Sequence, residues 1–144
     1  MNVLIRQMQI TDATVAAKLS EQLGYPISVD QMTGNIKTVI SNKDHDAFVA
    51  VHNDEVIGWI GLTYSFSLES PPHCEIRGLV VSDKYRGQGI GRKLIERTKQ
   101  WAKEKGVDKL RLRCNVKRTE THLFYEHLGF KETKQQKSYE IAIT

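Results

Sequence analysis

The chain has 144 residues, a net charge of +4, 40% hydrophobic residues and 26% charged residues. These are the proportions of an ordinary soluble globular protein, with length for a single domain, residues 1–144, around one sizeable core. No stretch approaches the ~18 apolar residues of a membrane span, and the N-terminal MNVLIRQMQITDA lacks a signal peptide's apolar region, so a cytoplasmic protein with no membrane role is expected.

Charge excludes less. The isoelectric point is near 9.1, yet the basic residues are spread over the outer face of residues 89–105 and the Lys131–Lys137 segment. Nucleic-acid binding wants a clustered basic face with interleaved aromatics, so no nucleic-acid partner is expected. A modest positive field also suits a ligand that carries several phosphates.

In chain order, Val3-Leu4-Ile5 opens a short strand. Thr11 is placed to cap a helix whose apolar face is Val15, Leu19 and Leu23, and Gly24 stops it. Pro26 breaks the chain. Ser28 then starts a second helix, with Gln31 completing a capping box, Ile27 and Met32 forming its staple, and Ile36 and Ile40 continuing the stripe. Ala47–Val51 reads as a strand and Asn53-Asp54 as a tight turn. Glu55 to about Phe66 is a longer strand in which Gly58 and Gly61 mark bulges or close backbone approach. Ser67–His73, with Pro71-Pro72, is a loop.

The strand Glu75–Val81 comes next, then a polar turn, Ser82–Arg86, and alternating glycines at 87, 89 and 91. The next helix buries Ile90, Leu94, Ile95, Thr98, Trp101 and Ala102 and ends at Gly106. Lys109–Cys114 alternates as a half-buried strand ended by Asn115, and Thr119–Leu128 is a short helix closed by Gly129. Phe130 onward and Ser138–Ile143 read as two final strands, joined as a hairpin by the polar KETKQQK segment. The strand–helix–strand unit from 75 to 114 predicts parallel strands joined by a right-handed crossover. Cys74 and Cys114 would then lie several rungs of ~3.3 Å apart, so both are expected to be free thiols. The histidines show no metal-ligand spacing, and no metal is expected.

A strand running into a glycine-spaced loop that opens a helix makes an anion site. Glycines let the backbone come close to a phosphate, and the free N–H groups of the first helical turn point at it. Walker A needs Lys-Ser/Thr after its last glycine, whereas Gly91 is followed by Arg92-Lys93. The dinucleotide fingerprint needs G-x-G-x-x-G, whereas these glycines are each two apart. What fits is R-x-x-G-x-G at Arg86, Gly89 and Gly91, after the apolar Leu79-Val80-Val81. This resembles the acyl-CoA-binding signature of the GNAT family of N-acetyltransferases. Asn115 and the later THLFYEHLGF, Thr121–Phe130, resemble the family's second signature, in which an Asn ends a strand and a helix carries Phe-Tyr before Gly-Phe.

The resemblance covers nearly the whole chain and implies a mixed α/β (α+β) fold: a central, largely antiparallel twisted sheet of about seven strands with four helices. It implies acetyl-CoA as co-substrate. The segment Arg86-Gly87-Gln88-Gly89-Ile90-Gly91-Arg92 would wrap the pyrophosphate, and the backbone of Leu79, Val80 and Val81 would pair with the pantetheine arm. The two central parallel strands would splay to admit it, with Gly78 as the natural bulge position. Asn115 would bond the pantetheine, Phe124 would pack beside it, and Tyr125 would protonate the departing thiolate. His122, where the family often has alanine, departs from the pattern.

Acyl transfer to an amine also needs a proton acceptor, because a free alkyl amine has a pKa of about 10.4. Glu75 is the candidate. In a regular strand it points with Arg77 and Leu79, opposite Cys74 and Ile76, and the family often places a carboxylate on this strand. The alternative is a glutamate that simply pairs with Arg77, and His73 is a second candidate base. No nucleophile-elbow pattern is present and neither cysteine opens a helix, so direct transfer without a covalent enzyme intermediate is expected.

The acceptor is expected at Gln22–Gly34 and Tyr64–His73, where Glu21, Asp30, Glu69 and Glu75 lie in or near. A small cationic amine, aminoglycoside- or polyamine-like, suits these carboxylates. A protein N-terminus or lysine is the in-class alternative, and a non-catalytic acyl-CoA-binding regulatory domain is the other. Terminal strands with free edges predict a homodimer.

Overall fold

In the computed structural model, which describes residues 1–144, several local signals act where they are expected to. The Ser28 hydroxyl accepts from Gln31 N–H at 3.0 Å and opens a helix at Val29. The Gln31 side chain does not close the box; it donates to Asn35 Oδ1 at 3.0 Å. Asn53 and Asp54 both take positive φ, 49° and 61°, the conformation of a tight hairpin turn. Gly24, Gly106 and Gly129 end their helices with φ between 77° and 98°.

The chain divides into two compact units, Met1–Arg113 and Cys114–Thr144. The first holds a five-stranded sheet in the order β1-β2-β3-β4-β5. Its strands are β1 (Leu4–Gln7), β2 (His45–His52), β3 (Glu55–Ser65), β4 (His73–Val81) and β5 (Leu110–Leu112). The first four are antiparallel neighbours, and β4 and β5 are parallel, as the strand–helix–strand reading requires. Helices α1 (Ala13–Gln22) and α2 (Val29–Ile40) follow β1, and α3 (Ile90–Glu104) connects β4 to β5.

Adjacent β3 residues point to opposite faces, which sorts the helices. The Trp59 indole N–H donates to Ala16 O of α1 at 3.2 Å, and Trp59 packs on a core of Ala13, Ala16, Leu19, Met32, Ile36, Val49 and Val80. A Cβ on its neighbour Gly58 would lie 3.5 Å from Leu94 of α3. So α1 and α2 cover one face and α3 the other, where Ile60, Ile90, Leu94 and Ile95 are at most 1% exposed. Truncating any of these to alanine should cost about 2–5 kcal/mol.

Helix α1 starts later than expected. Thr11 lies inside a single 3-10 turn, Ile10–Asp12, and the helix begins at Ala13. The reason is Asp12: its carboxylate accepts from Nη1 and Nη2 of Arg6 at 2.9 Å each and from the Gln9 N–H at 2.8 Å. That cluster commits the residue after Thr11 to organising the turn.

The second unit contains α4 (Thr119–His127), close to its expected span. The two final strands do not form. Residues 131–144 carry no strand and are all exposed, so the sheet has five strands rather than about seven. The alternation Tyr139, Ile141, Ile143 is real, but these side chains are 86%, 87% and 98% exposed. Alternation nominates a strand, and only a paired neighbour makes one.

Candidate acyl-transfer site

The site starts with a change of partner along β4. Cys74, Glu75 and Ile76 pair with Leu110, Arg111 and Leu112, and the parallel ladder stops there. From Gly78 to Val81 the strand keeps only its β3 neighbour. The register against β3 skips Arg77, since Gly61 opposes Gly78 and Leu62 opposes Ile76. Arg77 is therefore a bulged residue, one position from the expected Gly78. Gly78 has its own reason to lack a side chain: a Cβ there would meet the Trp59 ring at 3.0 and 3.1 Å.

Ser82 N–H donates to Ile57 O at 2.8 Å. Alternate residues of a strand turn their polar groups to the same side, so Val80 faces β3 while Leu79 and Val81 present theirs on the open side. The three residues expected to meet the pantetheine thus divide. Val80 is committed to the sheet and, at 3% exposure, to the core. Leu79 N–H, Leu79 C=O and Val81 N–H are the free ladder groups, because Val81 O accepts from Gln22 Nε2 at 3.0 Å.

The open edge runs into the glycine loop. Gly87 and Gly89 have φ of 77° and 81°, which only glycine adopts readily, and neither has an atom within 4 Å of a built Cβ. Gly89 is the N-cap of α3 and no side chain caps the helix, which leaves the amides of its first turn for an anion. Ile90 and Gly91 are buried in that turn, which seats the helix against the sheet, while Arg92 and Gln88 face outward. Arg86 is exposed and pairs with Asp83 at 2.8 Å.

Glu75 is 6% exposed. Arg77 Nη1 approaches one carboxylate oxygen at 3.4 Å, and Arg113 Nε approaches the other at 3.6 Å. Arg113 was missed in the sequence, although the alternation of KLRLRC beside a parallel β4 puts Arg111 and Arg113 on one face. The bulge also corrects an expectation. Glu75 opposes Thr63, and Val80 opposes Trp59, so Glu75 shares the α1/α2 face with Gly78 and Val80 rather than with Leu79. His73, at the start of β4, has its Nδ1 3.3 Å from Pro71 O.

The second unit holds the other constellation. Asn115 begins a side-chain-capped turn in which its Oδ1 accepts from Lys117 N–H at 2.9 Å. His122 Nε2 lies 2.8 Å from Asn115 O, so this departure from the family pattern fastens the helix to the turn before it. Tyr125 packs edge-on against Phe124 and Phe130, with ring centroids 5.2 and 5.6 Å away. Burial, with a smaller push from Cys114, raises its pKa to about 12 against the pull of Arg118. The hydroxyl is a neutral donor throughout the physiological range. Both cysteines are free thiols.

Residues 14–130 match the model of the acetyltransferase (GNAT) family. The chain belongs to the GNAT family. With that membership come an N-acetyltransferase class and acetyl-CoA as co-substrate. The residues present fit that co-substrate, since an unpaired strand edge at Leu79 and Val81 leads into glycines and an uncapped helix N-terminus. The chain is 36% identical over 86 residues to an aminoalkylphosphonate N-acetyltransferase of Salmonella typhimurium, covering 59% of this chain and 56% of the relative. It is 24% identical over 113 residues to an aminoglycoside N(6')-acetyltransferase type 1 of Serratia marcescens, covering 75% of this chain and 77% of the relative. Among solved structures, AAC(6')-Iy in complex with the bisubstrate analog CoA-S-monomethyl-acetylneamine superposes with a TM-score of 0.88 at 21% identity, over 99% of this chain and 100% of that one. At that identity the likeness is one of fold. None of the helices is long and apolar enough to cross a membrane.

Proposed function

We propose that this GNAT protein transfers the acetyl group of acetyl-CoA directly to the primary amine of a small-molecule acceptor. The observation that carries the reading is the free β4 edge ending in the glycine loop. In this reading Leu79 and Val81 bond the pantetheine arm through their backbones, assisted by Asn115 and Phe124. The amides and arginines of Arg86–Arg92 hold the pyrophosphate. Tyr125 donates its proton to the departing sulfur, and its raised pKa, about 12, supports an acid that stays protonated while it waits. Glu75 receives the amine proton, directly or through a water molecule.

For the acceptor, the relative named for aminoglycosides supports a polyamine-type molecule. Glu21, Asp30 and Glu69 are exposed where such a molecule would approach. A second reading has its own observation. Arg77 and Arg113 flank Glu75, with side chains 58% and 77% exposed, which favours an amine that also carries an acidic group. The relative named for aminoalkylphosphonates points the same way. We further propose a cytoplasmic protein, one domain over residues 1–144, which dimerises through its exposed terminal segment.

The test is calorimetric titration with acetyl-CoA of the wild type and of Gly89→Glu, which forces a bulky anion into a positive-φ position. Micromolar binding by the wild type, weakened about a hundredfold or more in the variant, is expected. Absence of binding by the wild type would overturn the proposal. A thiol-release screen of polyamines, aminoglycosides, aminoalkylphosphonates and N-terminal peptides then separates the acceptors. Binding without turnover on any of them would leave only a regulatory acyl-CoA-binding protein.

A further inference from the structure

The end of α1 holds the end of β4 through one side chain. Gln22, the last residue of α1, donates from Nε2 to Val81 O at 3.0 Å. Its Oε1 accepts from Asp83 N–H at 3.1 Å. Between these two contacts, Ser82 N–H donates to Ile57 O at 2.8 Å. Three successive residues at the exit of β4 are therefore anchored from outside their own segment.

Both partners of Gln22 border the acyl-CoA surface. Val81 is the last residue of the open edge, and its carbonyl faces the side on which a ligand strand would lie. With that carbonyl taken by Gln22, the ladder groups left for a ligand are Leu79 N–H, Leu79 C=O and Val81 N–H. Asp83 opens the 3-10 turn Asp83–Tyr85, and its carboxylate orients Arg86 at 2.8 Å. A primary amide is the group that serves both neighbours, because it donates to a carbonyl and accepts from an N–H at once. Exposed loops without such ties sample many conformations, and freezing them on binding costs affinity.

We propose that Gln22 is a positioning residue for the acyl-CoA site, fixing the β4 exit and the 3-10 turn so that the strand edge and the Arg86–Gly91 loop present one preformed surface. The inference rests on the proposed role of that loop as the acetyl-CoA site. Gln22 touches no reacting atom; it acts through Val81 and Asp83.

Acetyl-CoA affinity should be measured by calorimetry, well below the melting temperature, for the wild type, Gln22→Ala and Gln22→Met. Methionine keeps the length and bulk of the side chain and removes both hydrogen bonds. Both variants are expected to bind about tenfold more weakly, the equivalent of one net hydrogen bond. In steady state the KM for acetyl-CoA should rise by the same factor while kcat stays within about twofold. Wild-type affinity in either variant, or a lowered melting temperature as the sole change, would overturn the inference and leave the acetyl-CoA reading intact. Failure of the wild type to bind would overturn both.

Discussion

The two constellations of candidate site residues are built by different means. On β4, the open edge and its exit depend on distant residues: Ile57 and Gln22 anchor the strand exit, and Trp59 lies over Gly78. In Asn115–Phe130 the contacts are local. His122 reaches seven residues back to Asn115, and Tyr125 stacks on Phe124 and Phe130. These contacts join residues at most seven positions apart, so one short sequence motif contains both partners of each. The strand edge is made by what fails to pair with it, and no short motif encodes an absent neighbour.

The largest expected effect lies in the local constellation. Tyr125→Phe keeps both ring contacts and removes the hydroxyl with its transferable proton, so kcat should fall about a thousandfold while the acetyl-CoA dissociation constant stays within about twofold. Because burial raises its pKa from 10.0 to about 12, Tyr125 in the wild type should contribute no falling limb to the kcat profile between about pH 7 and 10. The linked effect on stability has a definite sign. The folded state favours the protonated phenol, so the contribution is complete below the unfolded pKa of 10.0 and disappears as pH rises through about 12.

The first unit should answer in stability. Asp12→Ala strips three hydrogen bonds from a carboxylate that is 6% exposed, and urea melts should show a loss of about 2 kcal/mol. Although burial opposes it, the Arg6 and Gln9 contacts hold the folded Asp12 pKa below its ordinary 3.8. The gap between wild type and variant should therefore be complete above about pH 4 and close as pH falls through the folded value.

A subtler cut is Gly58→Ala. Its Cβ would meet Val80 O, a backbone atom, at 2.9 Å, so β3 and β4 must part. A loss of about 1–3 kcal/mol is expected, with weaker acetyl-CoA binding, because the displaced strand is the one with the open edge.

The smallest effect should come from the terminal segment. Ile141→Lys replaces a side chain that is 87% exposed, and thermal melts of the protomer should move by less than about 0.5 kcal/mol. If the segment is the proposed dimer contact, light scattering should nonetheless show the mass fall from dimer to monomer. A wild type that is already monomeric at working concentration would remove that proposal.

Much of this protein is settled within short stretches of sequence. The cap at Ser28, the stops at Gly24, Gly106 and Gly129, the turn at Asn53-Asp54 and the spacing Arg86, Gly89, Gly91 each depend on a few neighbouring residues. A side-chain cap or a positive φ is a local event with the same energetics wherever it occurs. The parallel pairing of β4 and β5 was also legible, since a strand–helix–strand run admits little else.

Tertiary structure decided the rest. It put the bulge at Arg77, which moved Glu75 to the face of Val80, and it ended the β4–β5 ladder at Ile76. It brought Arg113 to Glu75 and Gln22 to the β4 exit, and it left Ser138–Ile143 without a partner. Each of these outcomes is a pairing between residues far apart in the chain. Strand-like alternation in β5 and in Tyr139–Ile143 is alike, and the difference is whether the folded chain delivers another strand's N–H and C=O groups alongside.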